Sequence, residues 1–77
     1  MNAKLKKLLS LIPENMKWKK EQIERLFREG KYFTIIYNVA TWRDNLTYNS
    51  EYNSPLANIY LQIIKQVSRY IPETDVF

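Results

Sequence analysis

The chain has no cysteine and no histidine, and it has one glycine among its 77 residues. Without cysteine no disulfide can form. Without either residue the usual zinc sites and any Ser-His or Cys-His nucleophile pair are excluded. A single glycine rules out a glycine-rich phosphate-binding loop. We therefore expect a protein that is not an enzyme and that needs no cofactor.

Long hydrophobic runs are also lacking, since no apolar stretch approaches the roughly 18–20 residues of a membrane span. The apolar residues 8–12 follow three lysines, but they are too few for a signal-peptide core, and no small-residue cleavage site follows them. The lack of cysteine fits a reducing compartment. We expect one domain over residues 1–77, located in the cytoplasm.

Positive charge is concentrated in the first part of the chain, whose total net charge is +4. Residues 1–31 contain nine Lys/Arg against four Glu, whereas residues 32–77 contain three basic against four acidic residues. With Trp18 nearby, this basic half suits an anionic membrane surface or an acidic protein, although lysines on a helix are commonly just solvated. The candidate anionic-surface contacts are Lys4, Lys6, Lys7, Lys17, Lys19 and Lys20.

Four segments place apolar residues at the three- and four-residue spacing of an amphipathic helix. Asn2 is placed to cap the first helix, and Gly30 to end the second in a left-handed conformation. Ser54 followed by Pro55 is a typical helix start. The predicted helices cover about residues 3–12, 17–29, 31–46 and 54–71, and a tail covers residues 72–77.

The third segment is ambiguous because it is rich in residues that favour strands. Strand alternation would mix polar with apolar side chains on each face, whereas a helix separates them. On a helix, the polar stripe consists of Thr34, Asn38, Thr41 and Asn45. The opposite, apolar side consists of Tyr32, Ile35, Ile36, Val39, Trp42 and Leu46. We therefore predict an all-α fold, an antiparallel four-helix bundle with a short C-terminal tail.

No group of residues predicts catalysis. The carboxylates of Glu21, Glu24 and Glu29 have basic neighbours and are typical of a solvated charged face. Residues 22–42 could form a helix-turn-helix, but its second helix would carry hardly any of the Lys and Arg that phosphate contacts require. We therefore expect no nucleic-acid partner.

Two tyrosine-bearing segments are candidate contact surfaces for a protein partner. The polar segment 47–53 could be a plain connector, but tyrosine among small polar residues also binds other surfaces at low entropic cost. The end of the chain is similar, since Phe77 has nothing obvious in sequence to pack against. The candidate partner contacts are Tyr48, Tyr52, Tyr70, Ile71, Glu73, Thr74, Asp75, Val76 and Phe77.

Two motifs give the chain a family resemblance. One is LFREGKYF at residues 26–33, which leads into the third helix, and the other is NSPLANIYLQ at residues 53–62, which opens the fourth. By their order and spacing, over about residues 23–71, the chain resembles the immunity proteins of pediocin-like (class IIa) bacteriocins, the enterocin A immunity family. Its first two helices are shorter than is usual in that family.

The resemblance implies a cytoplasmic antiparallel four-helix bundle without catalytic activity, which protects a lactic acid bacterium from its own antimicrobial peptide. The implied partner is the mannose phosphotransferase permease with bound bacteriocin, met at the inner face of the membrane. It also implies that residues 54–77 set which peptides are resisted. Two alternatives stay open: a small phage or mobile-element protein that binds and regulates a host protein, and a small nucleic-acid-binding regulator.

Overall fold

The computed structural model describes the backbone of residues 1–48 and 55–72, and the side chains of residues 1–46 and 55–72. Within these ranges the chain forms four α-helices and a short 3-10 turn, and it has no strand. The helices are α1 (Ala3–Ser10), α2 (Lys17–Arg28), α3 (Tyr32–Tyr48) and α4 (Pro55–Ser68), and the 3-10 turn is Glu14–Met16. The predicted all-α class is confirmed.

Local hydrogen bonds explain where the helices begin and end. The Asn2 side chain accepts from the Leu5 N–H at 2.8 Å and caps α1. Gly30 has φ 72°, and the N–H of Lys31 bonds back to the Leu26 carbonyl at 2.9 Å, which ends α2 in the left-handed manner that glycine favours. The predicted Ser54 cap lies outside the described residues.

Two helices are shorter than the periodicity predicted. The N–H groups of Leu11 and Ile12 bond to carbonyls three residues back, so the chain tightens into a turn before Pro13. The same pattern follows α4, where the N–H groups of Tyr70 and Ile71 bond three residues back. Apolar spacing continues through such turns, which is why it overestimated both helices.

The third segment is helical, as its periodicity predicted. Ile35 and Val39 are fully buried, while Thr34 is exposed. Asn38 departs from the expected solvent-facing stripe, because it is half-buried and donates to the Gln22 side chain on α2 at 3.2 Å. The buried core contains Leu5, Leu9, Ile12, Ile23, Leu26, Ile35, Val39, Tyr60, Ile63 and Val67.

Helices α3 and α4 form the most extensive contact between described helices. Helix α4 also packs against α1, and α3 also packs against α2. Trp42 of α3 contacts the ring of Tyr60 in α4, and Tyr32 of α3 contacts the ring of Tyr70, two residues after α4 ends. These contacts are compatible with the predicted bundle. None of the described helices combines the length and the apolar character that crossing a membrane requires.

Candidate partner-binding surface

The lysines predicted to meet an anionic surface lie on α1 and at the start of α2. Lys4, Lys6 and Lys7 are exposed on α1, opposite the buried leucines of that helix. Lys17 is exposed in the first turn of α2, and Lys20 is half-buried one turn later. Five of the six predicted lysines therefore lie on two neighbouring elements with some or all of their side chain in solvent.

The net positive charge of the chain lies entirely in this part of the fold. Residues 1–20 contain six lysines and one glutamate, a net charge of +5. Residues 21–77 contain six basic and seven acidic residues, a net charge of −1. Because residues 1–20 form α1, the 3-10 turn and the start of α2, the charge asymmetry of the sequence becomes an asymmetry of the molecule.

The sixth lysine, Lys19, is engaged inside the protein. Its ammonium donates to the hydroxyl of the buried Tyr60 at 2.9 Å. It lies 5.6, 5.1 and 5.3 Å from the ring centroids of Trp18, Trp42 and Tyr60, and 3.9 Å from the Met16 sulfur. Cations at this distance are attracted by the ring faces. We call these five residues the Lys19 cluster.

An apolar groove of about 370 Å³ opens at the end of the fold where α1 meets the 3-10 turn. The lining residues that the structure describes are all apolar, and Leu11 at the groove's edge is 51% exposed. The lining residues are Leu11, Pro13, Met16, Leu46, Pro55, Leu56 and Ile59. Sequence reasoning missed this groove. The one indication in the sequence was that Leu11 lies outside the apolar face of α1.

A smaller cleft of about 120 Å³ adjoins the groove, since Pro13 lines both. Lys17, Lys20 and Glu14 are its charged lining residues. Trp18, beside Lys17 in sequence, has one edge against Trp42 and is still 55% exposed. We call this region the α1–α2 corner; it comprises Leu11, Pro13, Met16, Lys17, Trp18 and Lys20.

The predicted contact residue Tyr70 holds the end of α4 to the rest of the fold. Its hydroxyl accepts from the Asn2 N–H at 2.9 Å, and its ring lies 4.8 Å from Phe27 and 5.8 Å from Tyr32. We call Phe27, Tyr32 and Tyr70 the Tyr70 cluster. Ile71, another predicted contact, is half-buried. The remaining candidates, Tyr52, Glu73, Thr74, Asp75, Val76, Phe77 and the side chain of Tyr48, lie outside the described residues.

Phe33 and Tyr37 form a second exposed aromatic surface that sequence reasoning missed. They lie four residues apart on α3 and are 57% and 67% exposed. The four-residue spacing of Phe33 and Tyr37 can be read from the sequence, but the sequence does not distinguish an exposed aromatic side chain from a buried one. The helix that carries them contains one basic and one acidic residue.

Comparison of the chain with protein-family models, curated proteins and solved structures found no match. The described part has no group of three or more His, Cys, Asp or Glu side chains that could hold a metal ion. Its distinctive feature is the α1–α2 corner, where an apolar groove lies beside concentrated positive charge.

Proposed function

We propose that the protein is an immunity protein of the pediocin-like bacteriocin type, which protects a producing cell by binding and not by catalysis. The proposed partner is the mannose phosphotransferase permease with bound bacteriocin, at the inner face of the membrane. In this proposal the protein is cytoplasmic and partly peripheral to that membrane. The observation that carries it is the resemblance of residues 26–33 and 53–62 to the family motifs.

The structural roles of the motif residues support the proposal. Leu26 is buried, Gly30 makes the left-handed joint between α2 and α3, and Tyr32 packs against Phe27 on the other side of that joint. In the second motif, Tyr60 is buried at the centre of the Lys19 cluster. Described residues of both motifs thus take part in the packing of helices against one another.

The bundle that we propose is antiparallel. Contacts at both ends of α3 and α4 favour this arrangement, because Tyr32 at the start of α3 meets Tyr70 after α4, and Leu46 near the end of α3 shares a groove with Leu56 at the start of α4. The bond from Asn2 to Tyr70 likewise joins the start of α1 to the end of α4. Short connections between successive helices favour antiparallel neighbours.

A docking role also agrees with the placement of the carboxylates that were considered for catalysis. Glu21 lies 3.8 Å from the Lys17 ammonium, and Glu29 lies 3.2 Å from that of Lys31. Both pairs are largely exposed to solvent, and such pairs contribute little beyond solubility.

We propose that residues 54–77, with Tyr48 and Tyr52, select the bacteriocin that is resisted. Tyr70 supports this assignment because its ring and hydroxyl attach the chain just before the tail to the start of α1 and to the α2–α3 joint. A tail that begins from a fixed point needs less ordering when it meets a partner, so its contacts can discriminate more strongly.

The proposal is tested by expressing the gene in a bacteriocin-sensitive lactic acid bacterium and challenging it with several pediocin-like peptides. Survival against one or a few peptides, compared with a strain that carries the empty vector, is the expected result. A chain cut after Ile71 should keep its helical circular dichroism and lose protection, whereas retained protection would count against the tail as the contact site.

Failure of the full chain to protect against any peptide would contradict the proposal. Two measurements then separate the alternatives. Retention of duplex DNA that falls steeply with the logarithm of salt concentration would favour a nucleic-acid-binding regulator. Salt-resistant binding to one host protein would favour a phage or mobile-element regulator.

A further inference from the structure

We propose that the α1–α2 corner docks on an anionic phospholipid bilayer. Leu11 and Trp18 enter the interfacial region of the bilayer, while Lys17 and Lys20 contact lipid phosphates. The inference deepens the peripheral membrane contact in the proposed function and rests on that part of it. It names the face of the molecule that meets the lipid, and it assigns Lys19 to a structural role.

The exposed apolar residues of the α1–α2 corner are connected through Met16 and Lys19. Leu11, which is 51% exposed, and Met16 line the same groove. The Met16 sulfur lies 3.9 Å from the Lys19 ammonium, which in turn lies 5.6 Å from the ring centroid of Trp18. Trp18, which is 55% exposed, is thus linked to the groove by the aliphatic and cationic parts of Lys19. Tryptophan beside aliphatic side chains is typical of the membrane interface.

The charges around this patch complement an extended anionic plane. Residues 1–20 carry a net charge of +5, and their lysines lie on both α1 and α2, on either side of the 3-10 turn. Glu14 is the single acidic residue among them. Lysines spread over two helices fit a surface of many phosphates better than they fit one acidic segment of a protein. Each lysine near such a surface strengthens binding about 5-fold.

The exposed face of α3 provides the matched comparison within the same molecule. Phe33 and Tyr37 are at least as exposed as Leu11 and Trp18. However, α3 contains one basic and one acidic residue, so it lacks the net positive charge of residues 1–20. Aromatic exposure without that charge does not predict binding to an anionic bilayer, so substitutions on this face serve as controls.

The charge requirement is tested with the full chain and vesicles of phosphatidylcholine, with and without phosphatidylglycerol as about one third of the lipid. Binding should require the anionic lipid. The double variant Lys17→Gln/Lys20→Gln should weaken binding about 25-fold, because each lysine contributes about 5-fold. The control Arg25→Gln/Arg28→Gln removes the same charge further along α2. It should weaken binding less than about 3-fold, because eight residues of helix place those side chains about 12 Å further along α2 than Lys17 and Lys20, which is more than a Debye length.

Insertion is tested with acyl chains that carry bromine, which quenches nearby tryptophan fluorescence. Quenching is expected for the natural chain, and Trp18→Phe should abolish it while Trp42 still emits. Leu11→Ser should weaken vesicle binding about 10-fold, and Phe33→Ser should leave it unchanged. Circular dichroism of each variant verifies that the helices are retained.

Several outcomes would overturn the inference: equal binding to both kinds of vesicle, no binding to either, equal losses in the corner and control variants, or absence of quenching. Binding to a protein alone, with no binding to vesicles, would also overturn it. The vesicles contain no bacteriocin and no receptor. A failure of protection in cells would therefore contradict the proposed immunity function and leave the vesicle result standing.

Discussion

Two aromatic clusters connect α2 and α3 to the last part of the fold, one through α4 and the other through the turn that follows α4. They make this connection by different means. The Lys19 cluster brings together Trp18, Trp42 and Tyr60 around an ammonium group. The Tyr70 cluster brings together Phe27, Tyr32 and Tyr70, and the Tyr70 hydroxyl accepts a hydrogen bond from the backbone N–H of Asn2, just before α1. One cluster is therefore bridged by a charged side chain, and the other by ring packing and a backbone bond.

The difference follows from burial. Tyr60 is 0% exposed, so its hydroxyl must find a partner inside the protein or lose a large part of the stability that burial of the ring provides. Lys19 supplies that partner, and Met16 offers its sulfur to the same hydroxyl at 3.8 Å. Tyr70 is half-buried, so water can replace its partner at little cost. Lys19 thus has a structural role, although the other lysines of residues 1–20 are wholly or partly in solvent.

The largest expected effect is the loss of the buried ring. Tyr60→Ala should lower the free energy of unfolding by about 3–5 kcal/mol, because it leaves a cavity at the centre of the Lys19 cluster. For a domain of this size that is comparable to the whole stability. Tyr70→Ala should cost about 1–2 kcal/mol, since its ring is only half-buried. Urea unfolding followed by circular dichroism measures both, and equal losses would show that the two clusters are equivalent.

A smaller effect is expected when the cation alone is removed. Lys19→Met keeps the aliphatic stem, but it removes the ammonium from three rings and from the Tyr60 hydroxyl, which should cost about 1–2 kcal/mol. Lys20→Met is the matched control, because Lys20 is the next residue and lines the solvent-facing cleft. It should change stability by less than about 0.5 kcal/mol. Thermal unfolding of the two variants would contradict the structural role of Lys19 if their midpoints agreed.

The smallest effect is expected at the hydroxyl of the Tyr70 cluster. Tyr70→Phe removes the acceptor for the Asn2 N–H, and because that group is exposed, the cost should be about 0.5 kcal/mol or less. Tyr60→Phe, the same change in the other cluster, should cost about 1.5 kcal/mol or more, since it removes a bond to a charged donor. Chemical denaturation compares the pair. The reverse order of costs would mean that burial does not explain the difference between the clusters.

The sequence predicted those features of the fold that depend on residues a few positions apart. The polar and apolar sides of α3 could be separated by periodicity, and Asn2 and Gly30 were recognised by residue type because caps are local hydrogen-bond patterns. The lengths of α1 and α4 were overestimated. Each helix is followed by a turn closed by hydrogen bonds three residues back, and such a turn still places residues three apart on one side of the chain.

The candidate site was less accessible to sequence reasoning. Lys19 appeared equivalent to Lys17 and Lys20, because nothing in its neighbourhood along the chain reveals that Trp42 and Tyr60 approach it from α3 and α4. The apolar groove could not be predicted either, since residues 11–16 form one part of its wall and Leu46, Pro55, Leu56 and Ile59, which are distant in sequence, form the other. The exposure of Leu11 indicates a binding surface only in combination with the groove that Leu11 lines.

Composition, charge order and helical spacing are properties of neighbouring residues, and they were sufficient for the all-α class and for the basic character of residues 1–20. Which lysine is held within the protein and which apolar residues remain uncovered depend on contacts between helices that are distant in sequence. Such contacts result from packing, because a side chain's environment is completed by whichever element covers it.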